Sequence, residues 1–215
     1  MSSDAERTDS NYITTFTGNR FWPLAPRIED VRLEDIAHSL SQTNRFCGHT
    51  NDPYSVGQHA LLVSMVAENF AAQEFHCRGC VRRARTVALW GLHHDDSEAY
   101  ICDLVHPVKR AGALGEYYRE TEHRLMDVIA QAFLLGTAEP PEVKRADVLV
   151  CNTEMRDLMN GDKTYRTPPR TLNAPEFLGV VIQPLPAKAV EAEYLRRHIA
   201  LILALESCEL SQTIH

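Results

Sequence analysis

Ala88-Leu-Trp-Gly-Leu-His-His-Asp-Asp-Ser-Glu98 runs an apolar helical segment straight into a block of imidazoles and carboxylates. The run Val87 to Leu92 belongs in a protein interior, so the block that follows is carried inward with it. Burying uncompensated charge costs several kcal/mol, and these carboxylates must therefore be paired, protonated or bound to a cation. A divalent metal ion is the simplest partner for adjacent His and Asp. On a central helix from Val81 to Ala99, His94 and Glu98 are one turn apart and share a face, while Asp95 lies about 100° round and reaches inward beside His94. His93 competes for the ligand role. Only His94 directly precedes Asp95 and stands four residues before Glu98, so the metal is assigned to His94 and Asp96 is read as a peripheral carboxylate.

Two flanking segments supply the remaining ligands. Ser55 is a suitable N-cap for a helix from Val56 to about Ala72, in which His59 sits among Val56, Ala60, Leu62, Val63 and Val66. Taken alone, such a histidine is a core residue. Asp147 lies in a third helix, Val143 to Met159, flanked by Val143, Ala146, Val148 and Leu149. His59, His94, Asp95 and Asp147 would form a mixed nitrogen and oxygen set for one divalent ion (Co, Mn, Zn, Mg, Ni or Fe), with positions left for water and substrate.

The rest of the chain reads as an all-α body with a short N-terminal β-hairpin. Residues 1–11 lack periodicity and are expected to form a flexible end; 12–215 are read as one domain. Tyr12-Ile-Thr-Thr-Phe-Thr17, Gly18-Asn19 and Arg20-Phe-Trp-Pro23 predict the hairpin. Leu33 to Leu40 has helical spacing with acids in its first turn. Arg45-Phe-Cys-Gly-His-Thr50 is a turn that can present Arg45 and His49 toward one place, although spacing alone equally fits a solvated loop. Cys77-Arg-Gly-Cys80 reads as a loop joining two helices, because a structural zinc needs a second such pair. Pro107 bends the chain so that Asp103 and Lys109 return toward the site.

Leu114 to Phe133 predicts an amphipathic helix, with Glu122 and His123 either supporting the site from behind its ligands or, more simply, on the surface. Glu154, Arg156 and Asp157 read as solvated or interface charges. The stretch 160–186 is a long connection rich in Pro, Thr and Gly, within which Phe177 to Ile182 suggests a strand pairing with the hairpin. Ala187 to Leu205 is a last amphipathic helix that either closes the core or pairs with a second subunit, so a homo-oligomer is an open expectation.

Composition narrows the class. A hydrophobic content of 44% with 24% charged residues is that of an ordinary globular protein. The net charge of −7 argues against binding polymeric nucleic acid, which draws its affinity from basic surface, yet leaves a small nucleotide open. No apolar run is long enough to span a membrane, Met1 to Arg7 is too polar for a secretory leader, and six scattered cysteines fit a reducing compartment; a cytoplasmic protein is expected.

His59, then His94-Asp95, then Asp147 along a helical chain resembles the H…HD…D signature of the HD-domain metal-dependent phosphohydrolases. Arg45-Phe-Cys-Gly-His-Thr50, Ser55-Val-Gly-Gln-His59, His94-Asp-Asp-Ser-Glu98, Asp103-Leu-Val-His-Pro-Val-Lys109 and Ala146-Asp147 occur in the order used by YfbR-like 5'-deoxynucleotidases and phage dATP triphosphohydrolases. The resemblance spans roughly residues 12–160 and implies an HD-domain helical bundle. It also implies hydrolysis of the 5'-phosphate of deoxynucleoside monophosphates by metal-activated water, or release of triphosphate from a dATP-like substrate. It moves Arg45 and Lys109, with His49, toward binding phosphate, and Phe46 toward packing near the sugar or base. Glu98 would orient or deprotonate water, with Asp103 as the second acid/base group. A nucleotide sensor without turnover is the alternative from another class; Glu98, Asp103, Arg45 and Lys109, all present, argue against it. The doubled His93-His94, the C-x-x-C loop and the 160–186 connection depart from the simpler pattern.

Overall fold

The computed structural model describes residues 7–74, 78–161 and 176–213. It is mainly helical, with a two-stranded antiparallel hairpin at its N-terminal end, as the sequence predicts. Strands β1 (Ile13–Thr14) and β2 (Arg20–Phe21) pair Ile13 with Phe21 and Thr14 with Arg20. Gly18 takes a left-handed φ of +82° in the connecting turn, where a side chain would be strained. The hairpin is fastened by Phe21, which is fully buried and stacks on Tyr100 at 3.7 Å.

The segment before the hairpin is tied down rather than loose from residue 7 onward. Arg7 pairs with Asp30 at 2.6 Å, donates to the Ala25 carbonyl and covers the Trp22 ring, whose Nε1 donates to Thr8 O. A cation shared between a carboxylate, a carbonyl and an indole face was not legible in an aperiodic polar stretch; residues 1–6 lie outside the described residues.

The helices are α1 (Leu33–Gln42), α2 (Val56–Glu74), α3 (Arg78–His93), α4 (Glu98–Ile101), α5 (His106–Lys109), α6 (Gly112–Ala132), α7 (Pro141–Leu158) and α8 (Ala187–Thr213). Two of these, α2 and α3, form the centre. Their contact is close because Gly91 presents no side chain: a Cβ there would stand 3.0 Å from Ser64 Cα, and Ser64 Oγ donates to the Ala88 carbonyl beside it. One apolar cluster joins Phe21, Ile36, Leu40, Val56, Leu92, Leu125, Ile129 and Val190; a second joins Val63, Val87, Leu89, Val143, Val150 and Leu201. Both lie against α2 and α3, so α1, α6, α7 and α8 bury their apolar stripes around that pair.

Three expectations change. The central helix does not continue from Val81 to Ala99; α3 stops at His93, residues 94–97 form a turn, and α4 starts at Glu98. Asp, Asp and Ser in succession compete for backbone hydrogen bonds, which favours a turn over helix interior. Phe177 to Ile182 forms no strand. Its backbone is held instead by side chains of α7, with Leu178 N donating to Thr153 Oγ1, Ile182 N to Asp157 Oδ2, and Arg156 to the carbonyls of Leu178 and Val180. Arg156 and Asp157, expected as solvated or interface charges, are the anchors. Of the Cys77-Cys80 connection, Cys77 lies outside the described residues, and Arg78 already begins α3; residues 162–175 of the long connection are likewise outside them.

Gly115 in α6 supports the loop that carries Lys109. A Cβ at Gly115 would meet the Lys109 carbonyl oxygen at 2.6 Å and Val108 O at 2.8 Å, both backbone atoms that cannot rotate aside. Gly115→Ala is therefore expected to destabilise the fold by about 1–3 kcal/mol despite alanine's better helix propensity. Urea denaturation of the two proteins measures this; a variant as stable as wild type would show that the loop yields freely.

Candidate metal centre

His59 enters the interior on α2 and is fully buried. Its Nδ1 lies 2.7 Å from Glu154 Oε1, a carboxylate that can only accept, so Nδ1 carries the proton and Nε2 presents a lone pair. His94, in the turn after α3, repeats the arrangement: its Nδ1 is 2.9 Å from the Gly91 carbonyl, again an acceptor. Neither Nε2 makes a hydrogen bond although both are buried. They face the same carboxylates. Asp95 Oδ2 lies 3.2 Å from His94 Nε2 and 3.7 Å from His59 Nε2, and Asp147 Oδ1 lies 3.4 Å from His59 Nε2. One ligand atom each from His59, His94 and Asp95 falls within 4.8 Å of the others, so these three can hold a metal ion.

The electrostatics favour a cation at that point. Burial alone would lower the His94 pKa, but Asp95, Asp147 and Glu139 outweigh it and push the imidazole up to about 9. Burial would likewise raise Asp95, yet His94 and His59 hold its carboxyl well below the usual range. Asp147 is depressed too: burial opposes this, and the facing His59 together with Lys144 prevails. Without an ion, the carboxylates hold a proton on His94; a divalent cation supplies that charge in its place.

Asp147 arrives from α7, largely buried, with Lys144 Nζ at 2.6 Å from its second oxygen. Lys144 is more than half exposed, so it can swing to solvent without leaving a buried charge unpaired. The four side chains expected around the ion are thus brought together from α2, α7 and the turn between α3 and α4. The doubled histidine resolves as assigned, since His93 points elsewhere. It donates from Nδ1 to Asp96 Oδ2 at 2.5 Å, and both side chains are fully buried. Asp96 is thereby an interior anchor and not a peripheral carboxylate.

Glu154 was missed. Read as a solvated or interface charge, it is fully buried and accepts from His59 Nδ1, from Tyr54 OH at 2.8 Å and from Arg45 Nε at 3.1 Å. Burial would raise its pKa; Arg45, His59 and Tyr54 outweigh that and bring it below its ordinary value. The available signal was spacing: Glu154 stands seven residues after Asp147, two turns along the same helical face. An outer carboxylate of this kind fixes the tautomer and strengthens the ligand, and losing it typically costs 10–100-fold in metal affinity. Glu154→Gln is expected to weaken Mn²⁺ binding by roughly that factor. Chelator competition reads the change, and equal affinity in the two proteins would reduce Glu154 to a space-filling role.

His94, Asp95 and Asp147 line a cavity of about 810 Å³, and His59 stands fully buried behind them. Arg45 and Phe46 form part of its wall, presented by an unusual turn in which Phe46 and Cys47 both take positive φ (52° and 50°). Non-glycine residues in that region cost of order 1–3 kcal/mol each, which concentrates such geometry at functional sites. The turn is closed by Arg45 N donating to Tyr54 O at 2.9 Å. His49, by contrast, is exposed and is absent from the cavity wall.

Glu98, Asp103 and Lys109 also line the cavity. Glu98 is nearly fully buried, with Oε1 3.1 Å from Lys109 Nζ and Oε2 without a partner. Burial, then Asp95 and Asp103, push its carboxyl up to about 8 against the opposing pull of Lys109 and Arg45. Lys109 also donates to Glu122 Oε1 at 3.1 Å, so Glu122, expected on the outer surface of α6, lines the cavity together with His123. Among the described residues, no helix is long and apolar enough to cross a membrane.

No protein-family model matches the sequence. The chain is 33% identical over 171 residues to the uncharacterized protein YfdR of Escherichia coli, an alignment covering 80% of this chain and 85% of that one. It belongs to the YfdR family. An uncharacterized protein of Rhodobacter capsulatus is 31% identical over 200 residues, covering 88% of this chain and 94% of the relative.

Proposed function

We propose that the protein is a metal-dependent phosphohydrolase of the HD type, hydrolysing the 5'-phosphate of deoxynucleoside monophosphates. One observation carries this reading. Two buried imidazoles from separate segments, each fixed at Nδ1 by an acceptor, aim unpartnered Nε2 atoms at a shared carboxylate on the wall of a large cavity. A divalent ion held by His59, His94, Asp95 and Asp147 supplies Lewis-acid activation of water and of the phosphoryl group.

The chain's own residues provide the remainder. Arg45, paired with Glu154 and 3.7 Å from Asp95, keeps its charge and offers guanidinium N–H groups to a phosphate at the cavity wall. Lys109, expected as a second anchor, already serves Glu98 and Glu122; its part is to hold Glu98 in place. Glu98, with one oxygen engaged and the other free, accepts the proton of the attacking water. Asp103, in the wall of the same cavity, is the candidate for proton transfer at the leaving oxygen.

Cavity volume accommodates a triphosphate as well, which keeps triphosphate release as a second reading. The charge of the wall favours the monoester. Lys109 is engaged by Glu98 and Glu122 and Lys144 by Asp147, which leaves few cations on the wall to meet the added charges of a polyphosphate. Wild-type protein incubated with Mn²⁺, Co²⁺ or Mg²⁺ and a panel of nucleoside mono-, di- and triphosphates is expected to release orthophosphate from deoxynucleoside monophosphates. Chromatographic detection of triphosphate would transfer the assignment to the second reading, and an inert panel under all three metals would leave nucleotide binding without hydrolysis.

A further inference from the structure

The turn at residues 94–97 carries two adjacent metal ligands but has no α-helical ladder of its own. Its backbone is held by short-range bonds, Asp96 N to His93 O at 3.2 Å and Glu98 N to Asp95 O at 3.0 Å. The residues on either side of the ligand pair face the opposite way. His93 and Asp96 are fully buried and bonded to one another through His93 Nδ1 and Asp96 Oδ2. Asp96 Oδ1 accepts from the hydroxyl of Tyr194, a fully buried residue of α8 whose oxygen also lies 3.0 Å from the Leu92 carbonyl. On its far side, His93 Nε2 meets His198 Nδ1 at 2.8 Å, and its ring stacks on Phe133.

We propose that Tyr194, acting through Asp96 and His93, is the positioning residue of the metal-binding turn; this rests on the metal-centre reading above. The ligands His94 and Asp95 lie between two pegs, and both pegs are set in a polar network closed by α8. With both Asp96 oxygens accepting, its rotamer is fixed, and the turn cannot rotate without breaking a buried hydrogen bond. Tyr194 contacts neither ligand. It acts across about a hundred residues of chain by removing freedom from the pair, the kind of support without which a site is present but loose.

A structural role and a positioning role give different results. The full-length protein, stripped with chelator and dialysed, is titrated with Mn²⁺ well below its melting temperature, and the metal-free melting temperature is recorded in parallel. Tyr194→Phe and Asp96→Asn keep shape and volume while removing hydrogen-bonding capacity. Leu201→Ala, a buried apolar truncation on the same helix, is the control for general loosening of α8. The expected result is an Mn²⁺ Kd weakened roughly tenfold or more in Tyr194→Phe and Asp96→Asn, the range seen when the support of a metal ligand is removed. Leu201→Ala should lower the melting temperature at least as far and leave the Kd unchanged. Equal Kd values for wild type and Tyr194→Phe overturn the positioning role and leave the metal centre standing. If Tyr194→Phe does not fold, Asp96→Asn decides by the same comparison. A wild-type protein that takes up no Mn²⁺ removes the metal centre itself, and the positioning role falls with it.

Discussion

Asp147→Ala is expected to abolish metal binding and hydrolysis together while leaving a folded protein. In the proposed centre Asp147 is the ligand contributed by α7, its Oδ1 facing His59 Nε2 at 3.4 Å. Removing it leaves two imidazoles and one carboxylate, and takes away a negative charge that favours a cation there. The loss should exceed the roughly 100-fold that removing an outer-shell group costs. The metal-free fold should tolerate the change. Lys144, the other partner of Asp147, is more than half exposed and returns to water, so no buried cation is stranded. Elemental analysis of wild type and variant, with melting curves of both in chelator, checks the two halves separately. Equal metal content in the two proteins would remove Asp147 from the ligand set and reduce the centre to the triad His59, His94 and Asp95.

That centre shows which physical signals a sequence carries. The candidate ligands were readable because each is a polar residue beside or inside an apolar helical pattern, and a buried imidazole or carboxylate demands a partner wherever the chain places it. His59 among Ala60, Leu62 and Val63, and Asp147 among Val143, Ala146 and Val148, broadcast that demand locally. The hairpin and the presence and order of the main helices follow from periodicity and turn residues in the same way. The outer partners were not readable. Glu154 looks like any acid late in a charged helix, and only the fold brings Tyr54, His59 and Arg45 to it. Glu122 gains meaning from Lys109, which α5 and Gly115 deliver, and Asp96 from Tyr194, nearly a hundred residues away. The break after His93 was missed for a related reason. A helical reading of residues 81–99 satisfied the apolar pattern through Leu92 and gave too little weight to the turn-favouring Asp95-Asp96-Ser97 run, which long-range bonds to His93 and Asp96 then hold in place.

Glu98 separates binding from chemistry, and Glu98→Gln should retain metal while losing turnover by roughly 10²–10⁴-fold, the usual contribution of a positioned acid or base. Glutamine keeps the volume and offers Lys109 Nζ a carbonyl oxygen, so the local packing survives. What disappears is proton affinity. In the metal-free protein, burial and the carboxylates of Asp95 and Asp103 push Glu98 up to about 8; a divalent ion beside Asp95 pulls it down, so the working value lies below that. A base acts only when deprotonated. Wild-type activity should therefore fall as pH drops through the working pKa of Glu98, and the Glu98→Gln protein should lack that limb while its KM changes by only a few fold. The alternative assignment gives a different pattern. If Asp103 handles the water and Glu98 only braces Lys109, then Asp103→Asn is the variant that loses the acid limb, and Glu98→Gln keeps it with a displaced midpoint. A pH–rate series on the two variants, each first shown to bind Mn²⁺ like wild type, decides between the carboxylates, because brace and base differ in whether a titration disappears or merely moves.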